Sequence, residues 1–229
     1  MEQPQLTHHI QLNILRSMLN APVVRYSQLK PANIEANLFM YHLKQLIREN
    51  LVHKVENGYA LTRRGKQFAD RASLETMHIR VQPKVVVILA VQRQGDDQWL
   101  LLKRKHQPFL DYKGFPSGKV HYGEDLERAA RRELAEKCGL SGVGLTLRGN
   151  VIMRFMDQDE PVNHVIGYVF SGVAPPDTIV SLETDHYASY FAPEAELFSQ
   201  PCFKGHKEIL DWLKGGQLFI EDVDFESDY

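Results

Sequence analysis

Apolar residues recur at helical spacing in the early part of the chain. Over residues 6–19, Ile10, Ile14 and Met18 fall at i, i+4 and i+8, which predicts a helix. Asn20-Ala21-Pro22 ends it, because proline cannot continue the backbone ladder. Tyr26-Ser27-Gln28-Leu29 predicts a short second helix, stopped at Lys30-Pro31. A third helix is expected from about Ile34 to Asn50, with Leu38, Leu43, Leu46 and Ile47 as its apolar side. The period then changes. Leu51 to Val55 and Gly58 to Leu61 are β-prone runs around Glu56-Asn57-Gly58, and Asn-Gly between such runs is a strong hairpin signal. Thr62 to Phe68 opens a closing helix that runs to about Leu74.

A linker, residues 77–83, leads into a second pattern. Val85 to Val91 is an unbroken apolar run inside a predicted strand from Lys84 to Gln92, as in a sheet covered on both faces. Gln94 to Gln98 reads as a turn and Trp99 to Lys105 as the next strand. Glu124 to Cys138 predicts a helix with carboxylates at its start, where the dipole favours them, and Gly139 as its stop. Leu126, Ala130 and Leu134 form its inward stripe. Residues 217–229 read as an acidic tail: from Glu221 onward they hold Glu221, Asp222, Asp224, Glu226 and Asp228 and no basic residue, which predicts a solvated segment.

Composition narrows the class. The chain has 229 residues, 43% hydrophobic and 24% charged, in the range of folded globular proteins. The longest apolar run is far too short to span a bilayer. Met1 to Gln5 lacks a secretory start, and Cys138 and Cys202 cannot make a disulfide framework, so a reducing cytoplasm is the expected location. Of 27 basic and 29 acidic side chains, residues 1–80 carry 11 and 6, and the remainder 16 and 23. A basic front beside an acidic back predicts two domains, 1–76 and 84–216, with different partners.

Three helices followed by a hairpin is the order of a winged helix-turn-helix. Tyr41 to Leu46, Asn50-Leu51-Val52, Gly58 to Thr62 and Gly65 resemble the corresponding text of prokaryotic winged-helix regulators. The resemblance implies that Lys44 and Arg48 face a DNA major groove and that Lys54, Arg63 and Arg64 meet phosphates. The alternative is a winged helix used for dimerisation or docking.

The stretch from Gly118 to Leu140 carries the chemistry. Glu133 and Glu136, at i and i+3, share one helix face, and paired carboxylates suit a hard cation such as Mg²⁺. By itself an acidic pair is more often a solvated face. The full spacing Gly118-x5-Glu124-x7-Arg132-Glu133-Leu134-x-Glu136-x2-Gly139-Leu140 resembles the Nudix box. Leu100 to Arg104 and Gly114 to Gly118 resemble what precedes that box. The resemblance implies an α/β/α sandwich with a mixed sheet and hydrolysis of a nucleoside diphosphate linked to another moiety, with Mg²⁺ or Mn²⁺. It implies Arg132, Glu133 and Glu136 as catalytic residues, and Glu133 and Glu136 as metal ligands. Gly118 and Arg104 are then expected to meet substrate. One position departs: Lys137 stands where the family has a second adjacent glutamate. Its ammonium is expected to weaken metal binding, and either reaches a substrate phosphate or turns to water. A loop acid is expected to complete the metal site, drawn from Asp157, Asp159, Glu160, Glu183 and Asp185, with Glu183 favoured.

Two functions remain open on these residues. One is a hydrolase with an accessory winged helix. The other is a regulator that binds a nucleotide effector with little hydrolysis, as in repressors of NAD metabolism, whose domains run in the opposite order. Expected partners are a nucleoside-diphosphate compound, duplex DNA and a second copy of the chain, with no membrane.

Overall fold

A computed structural model describes residues 8–73, 81–107 and 109–226. The chain divides into two compact units, Met1–Val81 and Gln82–Tyr229. Most of the expected linker, residues 77–80, lies outside the described residues, as do residues 6 and 7 of the first predicted helix and Leu74 at the end of the closing one.

The first unit comprises α1 (His9–Ser17), α2 (Tyr26–Leu29), α3 (Ala36–Arg48), the hairpin β1 (Val52–Val55) and β2 (Gly58–Leu61), and α4 (Arg63–Arg71). Its core gathers Ile10, Ile14, Leu15, Leu29, Phe39, Leu43, Leu46 and Leu51, all buried. The buried face of α3 is Phe39, His42, Leu43 and Leu46, whereas Leu38 and Ile47 are exposed. Leu43 and Leu46 lie on the buried side as expected, and Leu38 and Ile47 are the correction. Phe39, Leu43 and Leu46 fall at i, i+4 and i+7 and make one stripe; Leu38 and Ile47 lie off its edge. α4 begins where Thr62 Oγ accepts from the Gly65 amide at 3.0 Å, a side-chain cap.

The second unit is built on a mixed sheet. Its strands are β3 (Lys84–Arg93), β4 (Trp99–Arg104), β5 (Lys113–Gly114), β6 (Ser117–Lys119), β7 (Leu145–Asp157), β8 (Glu160–Ala174), β9 (Ser181–Glu183), β10 (Tyr187–Ala192) and β11 (Phe219–Glu226). The order is β11-β7-β8-β3-β4-β10-β9, with β5 on β4 and β6 on β3. β3 runs parallel to β8 and β11 parallel to β7; the other pairs are antiparallel. The helices are α5 (Leu126–Cys138), α6 (Glu194–Leu197) and α7 (His206–Lys214). Val87, Leu89 and Val91 pack with Ala129, Ala130 and Leu134 of α5. Ile88 and Ala90, the alternate positions, pack with Leu197, Ile209 and Leu210 of α6 and α7. Both faces of β3 are therefore covered, which is why its apolar run shows no alternation. No helix among the described residues is long and apolar enough to cross a membrane.

The acidic tail is a second correction. Phe219–Glu226 is the edge strand β11, with Phe219 buried and Val223 and Phe225 packed on the core beside α7. Its acids are compensated from the neighbouring strand: Arg154 meets Asp222 at 2.7 Å and Asp224 at 2.6 Å. Residues 227–229 lie outside the described residues.

Candidate active site

α5 starts at Leu126, two residues later than the sequence predicts. Asp125 is the cap, its carboxylate accepting from the Arg128 amide at 2.8 Å. That frees Glu124 to face back toward its own loop, where it accepts from the His121 amide at 3.0 Å. The helix ends at Gly139, whose φ of 68° is left-handed and suits glycine.

Arg132 ties the site together. Its Nε and Nη2 donate to the two oxygens of Glu124, each at 2.8 Å. Nη1 donates to Glu133 Oε1 at 2.7 Å and to Glu136 Oε2 at 3.2 Å. Nη2 also donates to the Lys119 carbonyl at 3.1 Å. A guanidinium has donors enough, in a planar array, to serve three carboxylates and a carbonyl; lysine does not. The bonds hold the 118–124 loop on the helix. Arg132, with the His121 amide adding to it, pulls the Glu124 carboxyl down to about 2, and Glu124 in return raises Arg132 further.

The two box carboxylates have different surroundings. Glu133 is 6% exposed at its side chain and lies under Gly118; a Cβ there would stand 1.8 Å from the carboxyl carbon. Glycine is required at 118 by this approach and not by its backbone angles. Glu136 is 59% exposed and pairs with Arg132 Nη1 at 3.2 Å. Lys137 turns neither outward nor to an open phosphate position. Its Nζ lies 3.0 Å from Glu133 Oε2 and donates to the Ser117 carbonyl. The last turn of α5 is fixed to β10, as Tyr187 Oη donates to the Glu136 carbonyl at 3.1 Å and Ser189 Oγ to that of Lys137 at 2.7 Å. Cys138 is buried, and burial pushes its thiol up to about 12, in keeping with a packing role.

Glu183 does not join the box. It is 72% exposed and pairs with Lys105 at 2.5 Å. Asp157 and Glu160 lie at the exposed tip between β7 and β8. Among the described residues no three His, Cys, Asp or Glu side chains converge in a metal-holding group. A divalent cation at Glu133 would have to share that carboxylate with the Lys137 ammonium and the Arg132 guanidinium. As arranged, these residues do not fit a divalent cation. Positive charge gathers elsewhere: partial desolvation of its head, then Lys119 and Arg104, lowers the Lys84 ammonium.

A NUDIX domain profile matches residues 82–213. The chain belongs to the NUDIX domain family. Nudix hydrolases generally use divalent metals, so the lysine-filled carboxylate site is this chain's departure. A domain of unknown function (DUF7347) matches residues 4–71. Curated relatives include an ADP-ribose pyrophosphatase of Methanocaldococcus jannaschii, 33% identical over 108 residues, 47% of this chain and 61% of that protein. An RNA pyrophosphohydrolase of Caulobacter vibrioides is 41% identical over 71 residues, 31% of this chain and 40% of the relative. The chain thus spans less than two thirds of either. The NUDIX domain of Shewanella oneidensis NrtR complexed with ADP ribose superposes with a TM-score of 0.52 at 16% identity, covering 66% of this chain and 97% of that one. A MutT protein from Bacillus halodurans gives 0.53 at 20%, covering 64% and 92%. These two likenesses establish the fold.

Sequence reading of this Nudix domain missed Lys84, Lys119, Tyr187 and Ser189. Lys119 sits inside the box and was legible as the residue after Gly118. The other three reach the site only through the pairing of β3 with β6 and the packing of β10 on α5, which spacing does not reveal.

Proposed function

We propose that the chain is a Nudix pyrophosphohydrolase that cleaves a nucleoside diphosphate linked to another moiety, with ADP-ribose the first compound to try. The observation that carries this reading is the Arg132 clamp, which leaves Glu136 open to solvent beside a fixed guanidinium. The name of the 33%-identical relative supports the substrate class. In this reading Lys84, Arg104 and Lys119 meet the diphosphate charge. Water attacks one phosphorus, the bond from that phosphorus to the bridging oxygen breaks, and the water's proton passes to Glu136, the carboxylate within solvent reach. Glu133 holds the loop and its neighbours in place. The test is product release from ADP-ribose, nucleoside-diphosphate sugars and dinucleoside polyphosphates, each with Mg²⁺, with Mn²⁺ and with chelator. Mononucleotide release from one class is expected; silence across all arms would sink the reading.

A specific surface favours a second role, DNA binding by the first unit. Asn37, Tyr41, Lys44 and Arg48 fall at i, i+4, i+7 and i+11 on α3 and all are exposed, as are Lys54 and Arg63; Arg64 is half-buried. Such a polar and basic helix face fits a major groove. The full chain is expected to bind duplex DNA with an affinity that falls steeply with salt. Lys44→Ala or Arg48→Ala should lower the magnitude of the log–log salt slope by about one each. Fluorescence anisotropy checks this, and binding absent even at low salt would reject the regulator role while leaving hydrolysis untouched.

A further inference from the structure

We infer that Lys137 is a resident cation: its ammonium supplies to Glu133 the positive charge that a divalent ion would otherwise supply, so the box assembles without metal. The inference rests on the Nudix reading for the identity of the site, though not on turnover.

Glu133 is a buried carboxylate, and a buried carboxylate must be compensated. Here the chain brings a cation to each oxygen, although only Oε1 is hydrogen-bonded and the buried Oε2 is not. Oε1 takes the Arg132 guanidinium at 2.7 Å, and Oε2 faces the Lys137 ammonium at 3.0 Å. Lys137 follows Glu133 by one helical turn, so its tip returns over the same face of α5. The ammonium is also anchored across the site, donating to the Ser117 carbonyl on β6. It therefore bridges the helix to the strand that carries Gly118, between two groups that would draw a hard cation. A quarter of the side chain remains exposed, so the head is held in position and not sealed away. An ammonium differs from a metal ion in two ways that matter here. It is covalently tethered, so no chelator removes it. It carries one charge, so it offsets Glu133 and leaves little to attract Glu136, which is turned to solvent. A dication approaching Glu133 Oε2 meets like charge at van der Waals distance, and its affinity falls accordingly.

The experiment is Mn²⁺ titration followed by electron paramagnetic resonance, with thermal unfolding in Mg²⁺ and in chelator, on the full chain. Native protein should bind Mn²⁺ weakly, and its unfolding temperature should be the same in Mg²⁺ and chelator. Lys137→Glu should bind Mn²⁺ at least about tenfold more tightly and gain metal-dependent stabilisation, as a ligand bound only to the folded state must give. Adding Glu133→Gln to Lys137→Glu should abolish that gain. If Lys137→Glu does not fold, Lys137→Gln, which removes the ammonium alone, is read the same way with a smaller gain. Two results overturn the inference. One is tight Mn²⁺ binding by the native chain that Glu133→Gln removes, which means that the lysine yields to metal. The other is equally weak binding by native and variant, which means that the lysine is not what holds metal away. Absence of turnover in every protein, with the expected Mn²⁺ pattern, would defeat the hydrolase reading and leave the resident cation standing.

Discussion

Gly118→Ala should cost at least about a hundredfold in turnover of a nucleoside-diphosphate substrate, the size of loss that misplacing a reacting group by an ångström produces. The added Cβ would stand 1.8 Å from the Glu133 carboxyl carbon and about as near both oxygens, so one of the two must move. A free glutamate tip would swing aside cheaply. This one is bonded at Oε1 by Arg132 and faced at Oε2 by the Lys137 ammonium, and Arg132 is itself committed to Glu124. Displacing Glu133 therefore displaces the clamp and the loop it carries. Gly144→Ala is the control, because a Cβ there meets nothing within 4 Å and the backbone is not left-handed. Steady-state kinetics on both variants, with circular dichroism to confirm folding, decide the matter. Gly118→Ala with native turnover would show that the Glu133 position is irrelevant to the chemistry.

What could be read from the residues depended on whether one element or several carried the information. Arg132, Glu133, Leu134 and Glu136 lie on one helix, and their spacing alone brought three of them to a shared site with Glu124. The pairing of Glu183 with Lys105 was not legible, because it follows from β10 lying between β4 and β9. The direction of Lys137 was open for the same reason: its second partner, Ser117, comes from a strand twenty residues earlier. In α3 the helix was plain and its rotation was not. Leucines at 38 and 43 and isoleucine at 47 suggested one face, while Phe39, the larger side chain, selected the neighbouring one. In the C-terminal segment the charge count outweighed a signal that was present: Phe219, Glu221, Val223 and Phe225 alternate with Ile220, Asp222, Asp224 and Glu226, and this period of two carries β11.

Stability should fall by about 3 kcal/mol as pH drops from above 6.5 to about 4, through His206 alone. His206 opens α7 and is buried against Phe115 and Phe203. Its Nδ1 accepts the Phe115 amide at 3.4 Å, which requires the neutral ring with its proton on Nε2. Burial lowers the imidazole from its ordinary value of 6.5 to about 4. The unfolded chain therefore binds a proton that the folded chain refuses throughout that interval. The neutral ring's contribution is complete above 6.5, declines below it, and is exhausted near 4. Glu124 acts in a separate window. Its folded value is about 2 against an ordinary 4.5, so its contribution is complete above 4.5 and is lost only toward 2. Urea unfolding of native protein and His206→Leu at pH 7.5 and 4.5 isolates the histidine as the difference between two pH slopes. The native chain should lose the larger amount, by roughly the figure above. A proton on Nδ1 also breaks the bond to Phe115, two residues before the Ser117 carbonyl that anchors Lys137. Turnover should therefore decline with the protonation of His206 before the unit unfolds. Direct titration of His206 by NMR with a midpoint near 6.5 would overturn both expectations, since a ring that protonates freely in the folded chain stores no stability against acid.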